Sequence, residues 1–76
     1  MKKNWLQNGE SILYRHDTES LSAIIKISRE QQLNALNKEV ISSLSKVLTN
    51  MEEDRKIRSV IITGEGSKAF VAGADI

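Results

Sequence analysis

Two overlapping stretches near the carboxyl end hold residue types that could do chemistry. One is Ala69-Phe70-Val71-Ala72-Gly73-Ala74-Asp75-Ile76. Gly73 lies between two alanines, so another molecule can approach the main chain closely, and glycine also permits positive φ. Main-chain N–H groups presented there could donate to an oxygen that gains negative charge, a strong catalytic contribution where water is excluded. Tight packing of small side chains is the competing reading of the same residues. The other stretch is Gly64-Glu65-Gly66-Ser67-Lys68-Ala69, which fits G-x-G-x-x-G/A after a β-branched run. A dinucleotide fingerprint needs that turn to open a helix whose N-terminus holds a pyrophosphate. Phe70-Val71-Ala72-Gly73 is a poor helix start, so an ordinary glycine loop is the better reading. A Walker A loop is excluded, because no Gly-Lys-Ser/Thr follows four spacers.

Elsewhere the reactive residue types stand alone. His16 is the one histidine; with no second histidine to share a metal and no marked nucleophile, it reads as a surface or strand-edge residue. Glu52-Glu53-Asp54 reads as a solvated helix end, partly neutralised by Arg55 and Lys56, rather than as a catalytic carboxylate pair. Trp5 reads as a lone mobile anchor, with a contact to another subunit as the alternative. The sequence has no cysteine, which excludes disulfide scaffolds, iron–sulfur clusters, thiol catalysis and Cys/His zinc sites.

Simple elements must position these residues. Residues 1–9 read as a flexible leader. Ile12–His16 is a strand, Asp17–Ser20 a polar turn of hairpin length, and Leu21–Ser28 a second strand with Leu21, Ala23, Ile25 and Ile27 on one face. A polar connection, Arg29–Asn34, leads to a helix. There Val40, Ile41, Leu44, Val47, Leu48 and Met51 form one apolar stripe at period 3.6. Asn37 is its N-cap and Glu39 favours the helix dipole; helical order fades at Asp54 or Arg55. Ser59–Thr63 is a continuous β-branched run. It reads as a parallel strand buried on both faces. The expected fold class is α/β: a three-stranded sheet, made of a hairpin plus one further strand, with one amphipathic helix packed across it.

Size and charge set the outer limits. For 76 residues, burial against chain ordering, at ~1.5 kcal/mol per residue, comes out near zero. Without disulfides or metal, association or membership of a larger unit must supply the difference. Eleven Lys and Arg against ten Asp and Glu, with both signs dispersed, provide no basic stripe for nucleic acid. No apolar run approaches a membrane span, and Asn4–Glu10 has no apolar signal-peptide core. A cytoplasmic protein without nucleic-acid or membrane partners is expected. One helix covers one face, so Val60 and Ile62, or else Ile61, stay under-buried; exposed apolar edges of that kind predict self-association.

The run Ile62–Ile76 resembles the signature of the enoyl-CoA hydratase/isomerase family, the crotonase superfamily. Ile27-Ser28-Arg29-Glu30-Gln31-Gln32-Leu33-Asn34-Ala35-Leu36-Asn37 resembles the same family's first motif, an Arg-containing loop leading to Asn-Ala-Leu. Both stand in family order across residues 10–76. The resemblance implies a partial crotonase-like ββα spiral and the N-terminal part of an incomplete domain. It implies an acyl-CoA substrate, with coenzyme A entering as part of that substrate and no permanently bound cofactor. The backbone N–H of Ala74 would be one of two donors to the thioester enolate. Ala72, Gly73 and Asp75 would line the coenzyme path, while Gln31, Gln32, Leu33 and Ala35 would approach its adenine and phosphates. Arg29 would serve loop structure or phosphate attraction. Water addition to a 2-enoyl-CoA is the implied reaction, its acid/base glutamates lying outside these residues, so the 76 residues alone are expected to be inactive. Family members assemble as trimers and dimers of trimers, so a homo-oligomer is implied. A non-enzymatic ββαβ association module is the alternative. Three departures are visible: Glu30 where the family has Pro, Gln31 where Lys is common, and Gln32 where Ala is common. The loss of a Lys at position 31 removes a charged phosphate contact, for which Lys38 or Lys68 could compensate.

Overall fold

The computed structural model describes residues 5–67, 70, 71 and 73. Its sheet has four strands in the order β1-β2-β3-β4: β1 Leu6–Asn8, β2 Ile12–Asp17, β3 Ser22–Ile27 and β4 Ser59–Gly64. β1, β2 and β3 pair antiparallel, and β4 runs parallel to β3. A 3-10 turn, Glu30–Gln32, and the helix α1, Lys38–Glu53, make the crossover between β3 and β4. Among the described residues no helix is long and apolar enough to cross a membrane.

Local sequence accounts for most of this. Asp17 closes the hairpin: its carboxylate accepts from Glu19 N–H at 3.2 Å and Ser20 Oγ at 2.9 Å, an Asx-type turn. Leu21 leaves that turn with φ +57 and stays exposed, so it is not on the buried face assigned to it. Ala23, Ile25 and Ile27 are buried, and they share a core with Ile12, Val40, Val47 and Met51. Asn37 caps α1 as expected, its Oδ1 accepting from Val40 N–H at 2.9 Å.

Three further expectations need correction. The sheet has four strands, not three, because Leu6-Gln7-Asn8, inside the segment read as a flexible leader, pairs with Ile12–Tyr14. Trp5 is not a free anchor. Its ring lies on the sheet face away from α1, 4.3 Å from Lys26 Nζ and 5.4 Å from Arg15 Cζ. β4 is parallel to β3 but not buried: Val60, Ile61 and Ile62 are all exposed, Ile61 by 51%. The cause is the seat of α1, which packs over β1 and β2 rather than over β4. That seat buries Val40, Ser43, Val47 and Met51 and leaves Ile41 and Leu48 exposed. The buried helix face is thus rotated from the apolar stripe towards Ser43.

The rotation has a polar reason. Ser43 Oγ donates to Glu39 Oε2 at 2.5 Å, and Glu10 N–H reaches the same oxygen at 3.4 Å. The turn from β1 to β2 therefore docks on the first turns of α1. Gly9 has φ +68, and a Cβ there would lie 2.2 Å from both Glu39 Oε2 and Ser43 Oγ. A side chain there would push the Glu39 and Ser43 groups apart, and glycine adopts the positive φ without strain. The Ser43 hydroxyl is the main cause holding the Glu39 carboxyl below its ordinary value.

Candidate functional site

Both motifs arrive at the same end of the sheet. β3 ends at Ile27 and β4 at Gly64, directly paired in the parallel register. Beyond them run the loop 29–36 and the turn 65–67, joined by Glu65 N–H donating to the Ile27 carbonyl at 2.8 Å. Parallel pairing is what delivers two connections that are distant in sequence to one edge, the usual place for sites in sheets of this kind.

The loop 29–36 is tightly self-bonded. Gln32 N–H and Asn34 N–H both donate to the Arg29 carbonyl, at 2.9 and 2.8 Å. Asn34 Oδ1 accepts from Arg29 N–H at 2.9 Å, and the Arg29 guanidinium donates to the Ala35 carbonyl. The loop role of Arg29 is therefore visible. Leu33 and Asn34 hold φ of +52 and +59. Asparagine tolerates that region, but for leucine it is strained. Leu33 nevertheless leaves its side chain 43% exposed.

Two hydrogen bonds tie this loop to the second motif. Asn34 Nδ2 donates to the Glu65 carbonyl at 2.9 Å. Leu36 N–H donates to the Gly73 carbonyl at 2.8 Å. Gly64 makes room for the return of the chain: a Cβ there would lie 2.5 Å from the Phe70 carbonyl oxygen and 2.7 Å from Asn34 Nδ2. Between the loops lies an open cleft of 260 Å³, lined by Glu30, Gln31, Leu33, Asn34, Glu65, Gly66 and Ser67. Lys26 pairs with Glu65 at 3.1 Å, which balances one of the two lining carboxylates.

The structure thus places Gln31 and Gln32 exposed on the 3-10 turn, Leu33 at the cleft rim, Ala35 half-buried behind it, and Gly73 exposed. Gln31 and Leu33 line the cleft; Gln32 lines a second, polar groove of 420 Å³ with Arg29 and Asn37. Ala72, Ala74 and Asp75 lie outside the described residues. No described helix follows Gly66, against the dinucleotide reading. His16, Glu52 and Glu53 are exposed and remote from the cleft. Asn34, buried to 1% exposure, is the residue the sequence reading passed over. Its signal was its place at the head of the Asn-Ala-Leu motif, which carried no assigned role for the asparagine.

The parallel crossover brings an Arg-containing loop against a glycine turn at one end of the sheet, and comparison with known proteins makes the assignment. The sequence profile described as enoyl-CoA hydratase/isomerase matches residues 22–76. The chain belongs to the enoyl-CoA hydratase/isomerase family. It is 42% identical over 60 residues to the short-chain-enoyl-CoA hydratase of Clostridium acetobutylicum, covering 79% of this chain and 23% of that protein. It is 40% identical over 60 residues to the crotonyl-CoA hydratase of Syntrophomonas wolfei, with the same two coverages of 79% and 23%. A crystal structure of an enoyl-CoA hydratase/isomerase from Mycobacterium paratuberculosis superposes with a TM-score of 0.80 and 33% identity, over 88% of this chain and 25% of that one. The partial crotonase-like α/β architecture is borne out, and the chain spans about a quarter of the length of these relatives.

Proposed function

We propose that these residues form the coenzyme-binding and first oxyanion-donor portion of an enoyl-CoA hydratase. The observation that carries the reading is the joining of the two motifs through Asn34 to Glu65 and Leu36 to Gly73. A peptide unit is planar, so a fixed Gly73 carbonyl also fixes the plane of the amide that follows it. In this reading that amide, the N–H of Ala74, donates to the thioester oxygen as the enolate forms. A donor held in place before the reaction spends nothing on reorganisation, and removing one such donor typically costs ~10²–10³ in kcat.

Gln31, Gln32, Leu33 and Ala35 flank the nucleotide end of coenzyme A, while Ala72, Gly73 and Asp75 follow its pantetheine arm. Coenzyme A comes and goes with the substrate and is not a resident cofactor. The second oxyanion donor and the glutamates that add water at Cβ have no counterpart in these 76 residues. The intact protein acts in the cytoplasm as a homo-oligomer, with neither nucleic acid nor membrane as partner.

Two measurements test this. Titration of the chain with coenzyme A, followed by NMR, should shift Leu33 and Gly73 first; shifts confined to surface lysines sink the reading. Crotonyl-CoA hydration by the purified 76 residues should stay at background; turnover at enzyme-like rates overturns the division of labour. The exposed β4 favours a second reading, a non-enzymatic association module, in which coenzyme A shifts nothing and self-association is the activity.

A further inference from the structure

We propose that Asn34 is the positioning residue of this site, setting where the glycine turn holds its backbone relative to the coenzyme loop. The inference rests on the reading of the site given above and adds a residue to it. Asn34 touches no reacting atom in that reading. It acts through the Glu65 and Gly73 backbone.

Its side chain is a two-sided connector. The carbonyl oxygen takes the Arg29 N–H at 2.9 Å, closing its own loop, and the amide nitrogen gives a hydrogen bond to the Glu65 carbonyl at 2.9 Å, 31 residues away. The two ends need an acceptor and a donor on one short group, which a side-chain amide of this length supplies. Its backbone, at φ +59, is one asparagine adopts readily. The group is 1% exposed, so its hydrogen bonds are made away from water, where losing one is costly. Gly64 has no side chain at the very place where a Cβ would press on the Asn34 amide at 2.7 Å. Two residues onward, Leu36 N–H holds the Gly73 carbonyl at 2.8 Å. A loop displaced at Asn34 therefore carries Leu36, and with it Gly73, out of place.

The substitution Asn34→Asp keeps shape and the acceptor for Arg29 but turns an oxygen towards the Glu65 carbonyl. Asn34→Gly keeps the positive φ and removes the connector. In folded isotopically labelled chain, both variants should speed exchange of the Leu36 amide by about tenfold and move the Gly73 carbonyl shift, while β3 amides change by less than about twofold. A residue that only supplied φ would leave the Leu36 and Gly73 signals of Asn34→Gly unmoved, and one that only filled space would leave those of Asn34→Asp unmoved; either result overturns the proposal. A measurement on the unaltered chain covers variants that fail to fold: the Asn34 side-chain amide protons should exchange far more slowly than those of exposed Asn50, and equal rates overturn the proposal. Coenzyme A titration separates the two readings. Leu36 responding to Asn34 with no coenzyme A shift anywhere supports the tie and sinks the site reading; coenzyme A shifts at Leu33 with a Leu36 indifferent to Asn34 do the reverse.

Discussion

Leu33 shows how a side chain is placed against its own preference. Left-handed backbone costs a non-glycine residue roughly 1–2 kcal/mol, and Leu33 adopts it at φ +52 while its side chain remains largely in water. Strain of this sort persists where surroundings over-determine it, and it concentrates at ligand sites. Leu33→Ala and Leu33→Gly both remove the apolar contact, but only glycine releases the strain. We expect the glycine variant to be more stable than the alanine variant by about 1 kcal/mol in urea denaturation, with both weakened towards coenzyme A. Equal stabilities would remove the strained-leucine argument. Gln31 offers the opposite test. It lines a cleft with two carboxylates and no lysine or arginine among the described lining residues. Gln31→Lys should raise affinity for coenzyme A by roughly threefold at low salt, and the gain should vanish at high salt. Affinity unchanged at low salt would place the phosphates elsewhere. Neither the strain at Leu33 nor the reach of Asn34 is legible from residue types, because both depend on φ and on a contact 31 residues distant. The Arg-loop and glycine-turn motifs were legible, because their residue order alone carries the family pattern.

The helix was the most readable element and β1 the least, for one physical reason. A periodic apolar stripe and a cap are local signals: α1 starts one residue after Asn37 and ends at Glu53, where the sequence placed its limits. Leu6-Gln7-Asn8 carries no alternation worth reading, and its strand conformation comes from pairing with β2. The rotation of the buried helix face towards Ser43 was equally out of reach, because it is set by the Glu39, Ser43 and Glu10 contact across elements. That contact has a pH signature. The folded Glu39 carboxyl titrates below its ordinary value of 4.5, chiefly through the Ser43 hydroxyl. The unfolded chain therefore binds the proton first as pH falls. The contribution is fully present above about pH 5, declines through 4.5, and is gone below the folded value. Urea denaturation between pH 3 and 6 should show a shallower acid loss for Glu39→Gln than for the parent; parallel curves would show that Glu39 carries none of the acid sensitivity. Asn37→Ala should cost about 1 kcal/mol at every pH in that range, since a cap amide does not titrate.

For the whole molecule, the surface left open matters most. β4 forms the outer strand of the described sheet, and Val60, Ile61 and Ile62 are exposed on both of its faces. On one face Val60 continues into a groove of 360 Å³ with Leu48, Met51 and Ile57. Continuous β-branched sequence signals burial correctly as a preference, but it cannot say which chain provides the cover. Here α1 sits over β1 and β2 and leaves that preference unmet. Outer strands in monomers are normally blunted by charge, proline or a bulge; Ser59–Thr63 has no charged residue or proline. At the far end of the strand Glu65 N–H is turned inward, donating to the Ile27 carbonyl at 2.8 Å. Alternation back along the unbroken register then turns the N–H and C=O of Ile61 and Thr63 inward and those of Val60 and Ile62 outward. An antiparallel pair of copies centred on Ile61 would satisfy the outward groups and set Val60 against Ile62 of the second copy on the α1 face. The 76 residues should therefore sediment as dimers or larger species that dissociate on dilution. Ile61→Lys places a charge at the centre of the edge without disturbing the core, since Ile61 is 51% exposed. That variant should remain folded and sediment as a monomer at concentrations where the parent associates. A parent chain that stays monomeric at high concentration removes the pairing, and with it the association-module reading.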